Sequence, residues 1–250
     1  MQPFEGRRFL VTRGKSQAGS LIKAIEDHGG EAIHTPLIAF QLNDSWENQE
    51  VLRQLHDYSW VFLTSSNGVK FFFALLKQWG VAVPDHVRFA VIGKKTNHAL
   101  HDYGYEAGFI PSSFKASVMG PEFFKHFPKS EKILYIRGSR SRDVLLKVFQ
   151  EQRVFFQTVT AYDTLLLKEN RNKLVEYINE NQLDALTFTS PSTVLAFKAM
   201  IDKGKAYELP CFCIGPTTAE QADKEGFTSV FMPDQYTIDD MMKQMTEYFR

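Results

Sequence analysis

Cysteine is scarce in this chain. It has two among 250 residues, Cys211 and Cys213, with one residue between them. Neighbours so close cannot build a disulfide framework. In a predicted strand they share one face and read as core packing. A metal pair there would need further ligands, and no matching set accompanies it. Net charge is missing as well, with 29 basic and 29 acidic residues. That disfavours a general nucleic-acid binder, yet local fields can still hold an anionic small molecule. No segment approaches the roughly 20 apolar residues of a membrane-spanning helix. The N-terminus MQPFEGRRFLVTRG lacks the apolar run of a signal peptide. A cytoplasmic protein without a membrane partner is expected.

Nucleotide and nucleophile signatures are missing too. Gly14-Lys-Ser-Gln-Ala-Gly-Ser20 has the glycine spacing of a P-loop but no lysine before its hydroxyl residue. No G-x-G-x-x-G follows a strand, and no G-x-S-x-G marks a nucleophile elbow. Of seven histidines only His98 and His101 lie close together on a predicted helix, where exposed surface accounts for them. Neither a metal nor a cofactor is expected.

What is present is repetition. Trp60-Val-Phe-Leu-Thr-Ser-Ser-Asn67 is a β-prone run, then a hydroxyl-rich turn, then a helical pattern. Ala185-Leu-Thr-Phe-Thr-Ser-Pro-Ser192 does the same. Arg8-Phe-Leu-Val-Thr12 ends at Arg13-Gly14, and Lys132-Ile-Leu-Tyr-Ile136 ends at Arg137-Gly138. Arg88-Phe-Ala-Val-Ile92 leads into Gly93-Lys-Lys-Thr96, and Pro210-Cys-Phe-Cys-Ile214 into Gly215-Pro-Thr-Thr218. Recurrence at a fixed offset is the mark of an internal duplication, and two copies fit two similar α/β domains. The copies can be divided in tandem near residue 128. They can also be nested, with strands near 8–12, 31–34, 184–188, 210–214 and 228–231 in one lobe. Those near 60–64, 87–92, 106–109, 132–136 and 154–157 would then form the other. Periodicity leaves both divisions open.

Open parallel sheets bind ligands beyond the carboxyl ends of their strands. Here those ends carry Arg13, Ser65-Ser66-Asn67, Gly93-Lys94-Lys95-Thr96, Arg137-Gly138-Ser139, Ser190-Pro191-Ser192 and Gly215-Pro216-Thr217-Thr218. Each precedes a predicted helix, whose N-terminal amides and dipole favour anions. Any one of them is an ordinary N-cap. The matched set suits a substrate bearing several carboxylates or phosphates. With no nucleophile, metal or cofactor motif, such a site would position its substrate more than attack it.

Thr64-Ser-Ser-Asn-Gly68, Ala161-Tyr-Asp-Thr164, Thr189-Ser-Pro-Ser192 and Ile214-Gly-Pro-Thr-Thr-Ala219 together resemble the uroporphyrinogen-III synthase family. The resemblance runs over nearly the whole chain. It implies two flavodoxin-like lobes, each a five-stranded parallel sheet flanked by helices, with the nested connectivity and a cleft between. The lobes would be 1–37 with 163–250, and 42–157, joined by linkers 38–41 and 158–162. It further implies the cofactor-free dehydrating cyclisation of hydroxymethylbilane, a linear tetrapyrrole, to uroporphyrinogen III with inversion of the last ring. Tyr162 matches the tyrosine that assists hydroxyl departure. Arg13, Ser65, Ser66, Asn67, Gly93, Lys94, Thr96, Arg137, Ser139, Ser190, Pro191, Ser192, Gly215, Thr217 and Thr218 are the candidate substrate contacts. The expected state is a monomer that takes its substrate by hand-over from hydroxymethylbilane synthase. The competing expectation is a bilobal small-anion binding protein without catalysis.

Overall fold

The computed structural model describes residues 2–15, 17–113, 115–128 and 132–250. Ser16, inside the P-loop-like stretch, lies outside them. The chain forms two compact units, residues 1–39 with 165–250, and 40–164.

The first unit begins with β1 (Arg8–Val11), α1 (Gly19–Asp27) and β2 (Glu31–His34). The chain then enters β3 (Ile38–Leu42) and the second unit, with α2 (Trp46–Arg53), β4 (Trp60–Leu63), α3 (Ser66–Trp79), β5 (Arg88–Val91), α4 (Lys94–His101) and β6 (Ala107–Phe109). It continues through α5 (Ala116–His126), β7 (Ile133–Gly138), α6 (Val144–Glu151) and β8 (Phe156–Leu166). The first unit closes with α7 (Arg171–Asn179), β9 (Ala185–Phe188), α8 (Pro191–Met200), β10 (Cys211–Cys213), α9 (Pro216–Glu225), β11 (Val230–Phe231) and α10 (Ile238–Tyr248).

The first sheet has the order β11-β10-β9-β1-β2, and its paired strands run parallel. Counted along its own unit, that is the doubly wound order 2-1-3-4-5. The second sheet reads β3-β8-β7-β4-β5-β6. It follows the same order from β8 to β6, with the chain entering at β4 instead of at β7. The duplication explains this permutation. Arg8 and Ile133 open equivalent strands 125 residues apart, and so do Trp60 and Ala185.

Two features of the sequence reading change. The second sheet has six strands, because Ile38–Leu42 pairs with β8. The segments expected as linkers are therefore strands, and β8 continues to Leu166. Their backbone amides and carbonyls need partners, and pairing supplies them.

Both faces of the second sheet are covered at its centre, so β4, Trp60-Val-Phe-Leu63, is apolar and buried throughout instead of alternating. The pleat deals the β4 residues to opposite faces. Val61 and Leu63 join the core under α3 and α4, while Trp60 and Phe62 join the core under α5 and α6. Phe62 is fully buried, edge-on to Phe123 and Phe149 at 4.8 and 5.1 Å. Truncating such a ring costs about 3–5 kcal/mol. In the first unit Phe4, Phe9, Phe212 and three methionines of α10 fill one face. Phe188, Phe197, Tyr207 and Phe227 stack together in a second group. Cys211 and Cys213 are buried with their sulfurs 3.8 Å apart. Contact between the thiols and burial push the Cys211 pKa well up, so it is a packed thiol and not a reactive one.

Candidate active site

In each sheet the strand order reverses between the first and third strands, where a doubly wound fold opens a crevice. The first unit reverses between β1 and β9, which bring Arg13 and Ser190 to their carboxyl ends. The second reverses between β7 and β4, which bring Ser139 and Ser65 there.

The two hydroxyl turns are alike in detail. Ser65 has φ −155° and ψ 153°, and its Oγ accepts from the Gly68 amide at 3.0 Å. Ser190 has φ −161° and ψ 153°, and its Oγ accepts from the Thr193 amide at 3.4 Å. Each is the N-cap of its helix, and the extended conformation aims the side chain back at the first turn. Pro191 has no amide hydrogen, so the first donor of α8 is the Ser192 N–H. The Ser192 hydroxyl lies 2.9 Å from Ser190 Oγ. Ser66 and Asn67 open α3 in the equivalent place.

The glycine turns diverge. Gly93 caps α4 at φ +82°, a conformation open only to glycine. Gly215 caps α9 in extended backbone, beneath the Tyr236 ring. Thr96 and Thr218 point inward and are buried, whereas Lys94 and Thr217 are exposed.

The two arginines differ in their engagement. Arg137 donates to the Ser141 carbonyl at 2.5 Å and to Asp143 Oδ1 at 2.8 Å. Among the described residues, Arg13 keeps a buried Nε with no partner, and burial pulls its pKa down. A buried donor left without a partner gains most from acquiring one. Ser139 is held to β8, its amide donating to the Tyr162 carbonyl and its Oγ accepting from the Thr164 amide.

Tyr162 stands in a strand, 8% exposed. Its ring stacks on Phe71 at 4.9 Å and meets Phe40 edge-on at 5.5 Å. Its position depends on a bulge. Arg137 pairs with Thr160, but Gly138 pairs with Tyr162, so Ala161 is an extra residue in β8. A bulge re-aims the side chains beyond it. Strict alternation would put Tyr162 on the face opposite Ala161, yet both join the core under α3. Burial pushes the phenol pKa up, against a hydrogen bond from Ser65 that lowers it, and nearby Tyr135 adds to the rise. The phenol is therefore protonated at neutral pH.

The sequence reading missed Gly138 as a site residue, along with Phe71, Asn43 and Asn48. Asn48 is buried at 7% exposure, in the same helix as the fully buried Leu52. Its bonds to Asn43 and Ser45 are local, but the Thr160 carbonyl it reaches is 112 positions away in sequence, so no local pattern marks it as a site residue. Among the described residues no group of three or more His, Cys, Asp or Glu could hold a metal ion. Among them, too, no helix is long and apolar enough to cross a membrane.

The fold is similar to that of a uroporphyrinogen III synthase mutant from the extremely thermophilic bacterium Thermus thermophilus. The TM-score is 0.75 at 16% identity, covering 97% of this chain and 98% of that one. The Helicobacter pylori uroporphyrinogen-III synthetase gives 0.63 at 16% identity, with 98% and 99% covered. In sequence, the chain is 26% identical over 246 residues to the uroporphyrinogen-III synthase of Chlorobaculum parvum, covering 95% of this chain and 97% of that protein. It is 28% identical over 249 residues to the porphyrin biosynthesis protein HemD of Ruminiclostridium josui. That match takes in 98% of this chain but 49% of the relative, so the chain spans about half of that protein's length. The family model described as uroporphyrinogen-III synthase HemD matches residues 19–243. The chain belongs to the uroporphyrinogen-III synthase family.

Proposed function

We propose that the chain cyclises hydroxymethylbilane to uroporphyrinogen III with inversion of the last pyrrole ring. The observation that carries this reading is the family match across residues 19–243, which spans both hydroxyl turns. The substrate is a polycarboxylate, and helix N-termini bind carboxylates through amides and dipole. Ser192 N–H, the α3 amides and the Arg13 guanidinium are the proposed contacts. Gly93 and Lys94, after β5 of the second unit, and Gly215 and Thr217, after β10 of the first, are further candidates.

Chemistry begins with loss of the terminal hydroxyl from the methylene carbon attached to its pyrrole ring. The electron-rich ring supplies the electron pair that breaks the C–O bond. Tyr162 donates its proton to the departing oxygen, and water leaves. The last ring then attacks through its substituted carbon, giving a spiro intermediate; this reopens and closes inverted, and the proton shed from the newly joined ring carbon balances the one the phenol gave up. Without the protein, the ends join directly and give the type I isomer. Orientation is thus the main demand on the protein, and fixed amides meet it at low entropic cost. The protein is proposed to work as a cytoplasmic monomer that receives its substrate from hydroxymethylbilane synthase.

The test is to supply hydroxymethylbilane and resolve type III from type I product. Type III in excess supports the reading. Type I alone, at the rate seen without protein, overturns it and favours an anion-binding protein.

A further inference from the structure

Two carbonyls at the bulge in β8, those of Thr160 and Ala161, accept hydrogen bonds from outside the β7–β8 pair. One buried side chain, that of Asn48, holds the first of them. Asn48 Nδ2 donates to the Thr160 carbonyl at 2.9 Å, to the Asn43 carbonyl at 2.8 Å and to Asn43 Oδ1 at 3.0 Å. Next to it, the Asn43 amide donates to the Ala161 carbonyl at 3.0 Å, and Asn43 Nδ2 to Asp163 Oδ2 at 3.0 Å. The carbonyls just before and at the extra residue are thus held by two asparagines. Asn48 is itself fixed, as its amide donates to the Ser45 Oγ that caps α2.

From this geometry we infer that Asn48 is a positioning residue for the reaction, holding the β8 bulge so that Tyr162 faces Ser65. The inference rests on the reading of Tyr162 as the proton donor. Asn48 lies on another helix and acts through the Thr160 peptide. A buried amide with partners in β8 and in the turn after β3 is costly to replace, since its loss removes a donor from the Thr160 carbonyl. The bulge would then relax toward regular pairing, which carries Tyr162 toward the opposite face.

The test is a double-variant cycle on the full chain with hydroxymethylbilane as substrate. Asn48→Ala is expected to lower kcat about tenfold, to leave KM within about twofold and to raise the share of type I product, as misplacement of a reacting group does. In the Tyr162→Phe background the same substitution is expected to change kcat by less than about twofold, because its effect passes through the phenol. Asn48→Leu, close in volume, serves the same cycle if Asn48→Ala fails to fold. Unchanged kcat in either Asn48 variant beside a slow Tyr162→Phe overturns the positioning role alone. So do penalties that multiply in the double variant, which mark a merely structural residue. Unchanged turnover in Tyr162→Phe removes the proton donor and the positioning role with it.

Discussion

Gly138 leaves open the space that the Tyr162 ring occupies. A Cβ built on Gly138 would stand 2.4 Å from Tyr162 Cζ and 2.7 Å from its hydroxyl oxygen. The two residues are register partners across β7 and β8, just past the bulge. Hydrogen is the only side chain that lets the ring lie across the strand.

Gly138→Ala is therefore expected to displace Tyr162. Overpacking of this kind costs about 1–3 kcal/mol, read as a lower thermal midpoint. Turnover should fall by more than the stability loss explains when it is assayed well below that midpoint. An unchanged kcat would show that the ring position does not matter to the chemistry.

Tyr162→Phe keeps the ring contacts with Phe71 and Phe40 and loses only the hydroxyl. Turnover should fall without disappearing, because the pyrrole itself assists departure of the hydroxyl. Stability should change by about 1 kcal/mol, the usual net value of one hydrogen bond. Rapid-quench turnover measured beside urea unfolding separates the two effects.

The matched caps allow a paired comparison. Ser190→Ala should cost about 1 kcal/mol of stability through the lost cap and leave KM within about twofold. That result would place the binding role on the Ser192 amide and not on the hydroxyls. Ser65→Ala should lose the equivalent cap and also slow turnover, because Ser65 hydrogen-bonds Tyr162. Equal kinetic effects from the two substitutions would contradict this division.

Tyr58 gives an alkaline signature. Burial pushes its phenol up to about 12, and nearby Asp57 adds to the rise. A raised value means that the folded state keeps a proton the unfolded state has lost. Stability from this group is complete below about pH 10 and is lost as pH rises toward about 12. The loss should be roughly 2–3 kcal/mol over that interval. Tyr58→Phe should flatten this part of the slope in denaturant unfolding measured across about pH 9 to 11.5.

Gly93→Ala should destabilise by about 1–3 kcal/mol, because φ +82° with extended ψ is closed to a residue with a Cβ. Thermal unfolding reads it directly. Gly215 has no such backbone demand, and its substitution meets only the movable Tyr236 ring at 3.2 Å. A smaller loss is expected there.

Much of this was legible in the linear sequence. Strands such as Trp60–Leu63 and Ala185–Phe188 are apolar runs that stop at hydroxyl turns, and an N-cap serine is a local device. The duplication was equally plain, since equivalent segments recur at nearly constant offset. Local chemistry determines such features, and a reader of the chain can find them. What only the tertiary structure decided are the relations between distant residues. That Ile38–Leu42 would become a sixth strand depends on an edge of β8 being open to it. That Arg137 would be engaged by Asp143, while Arg13 Nε meets no partner among the described residues, depends on which loops close over them. The Tyr162 orientation depends on one extra residue in a strand, a glycine across from it and an asparagine 112 positions away in sequence from the carbonyl it holds. No local pattern encodes a bulge, because its energy comes from partners that only folding brings together.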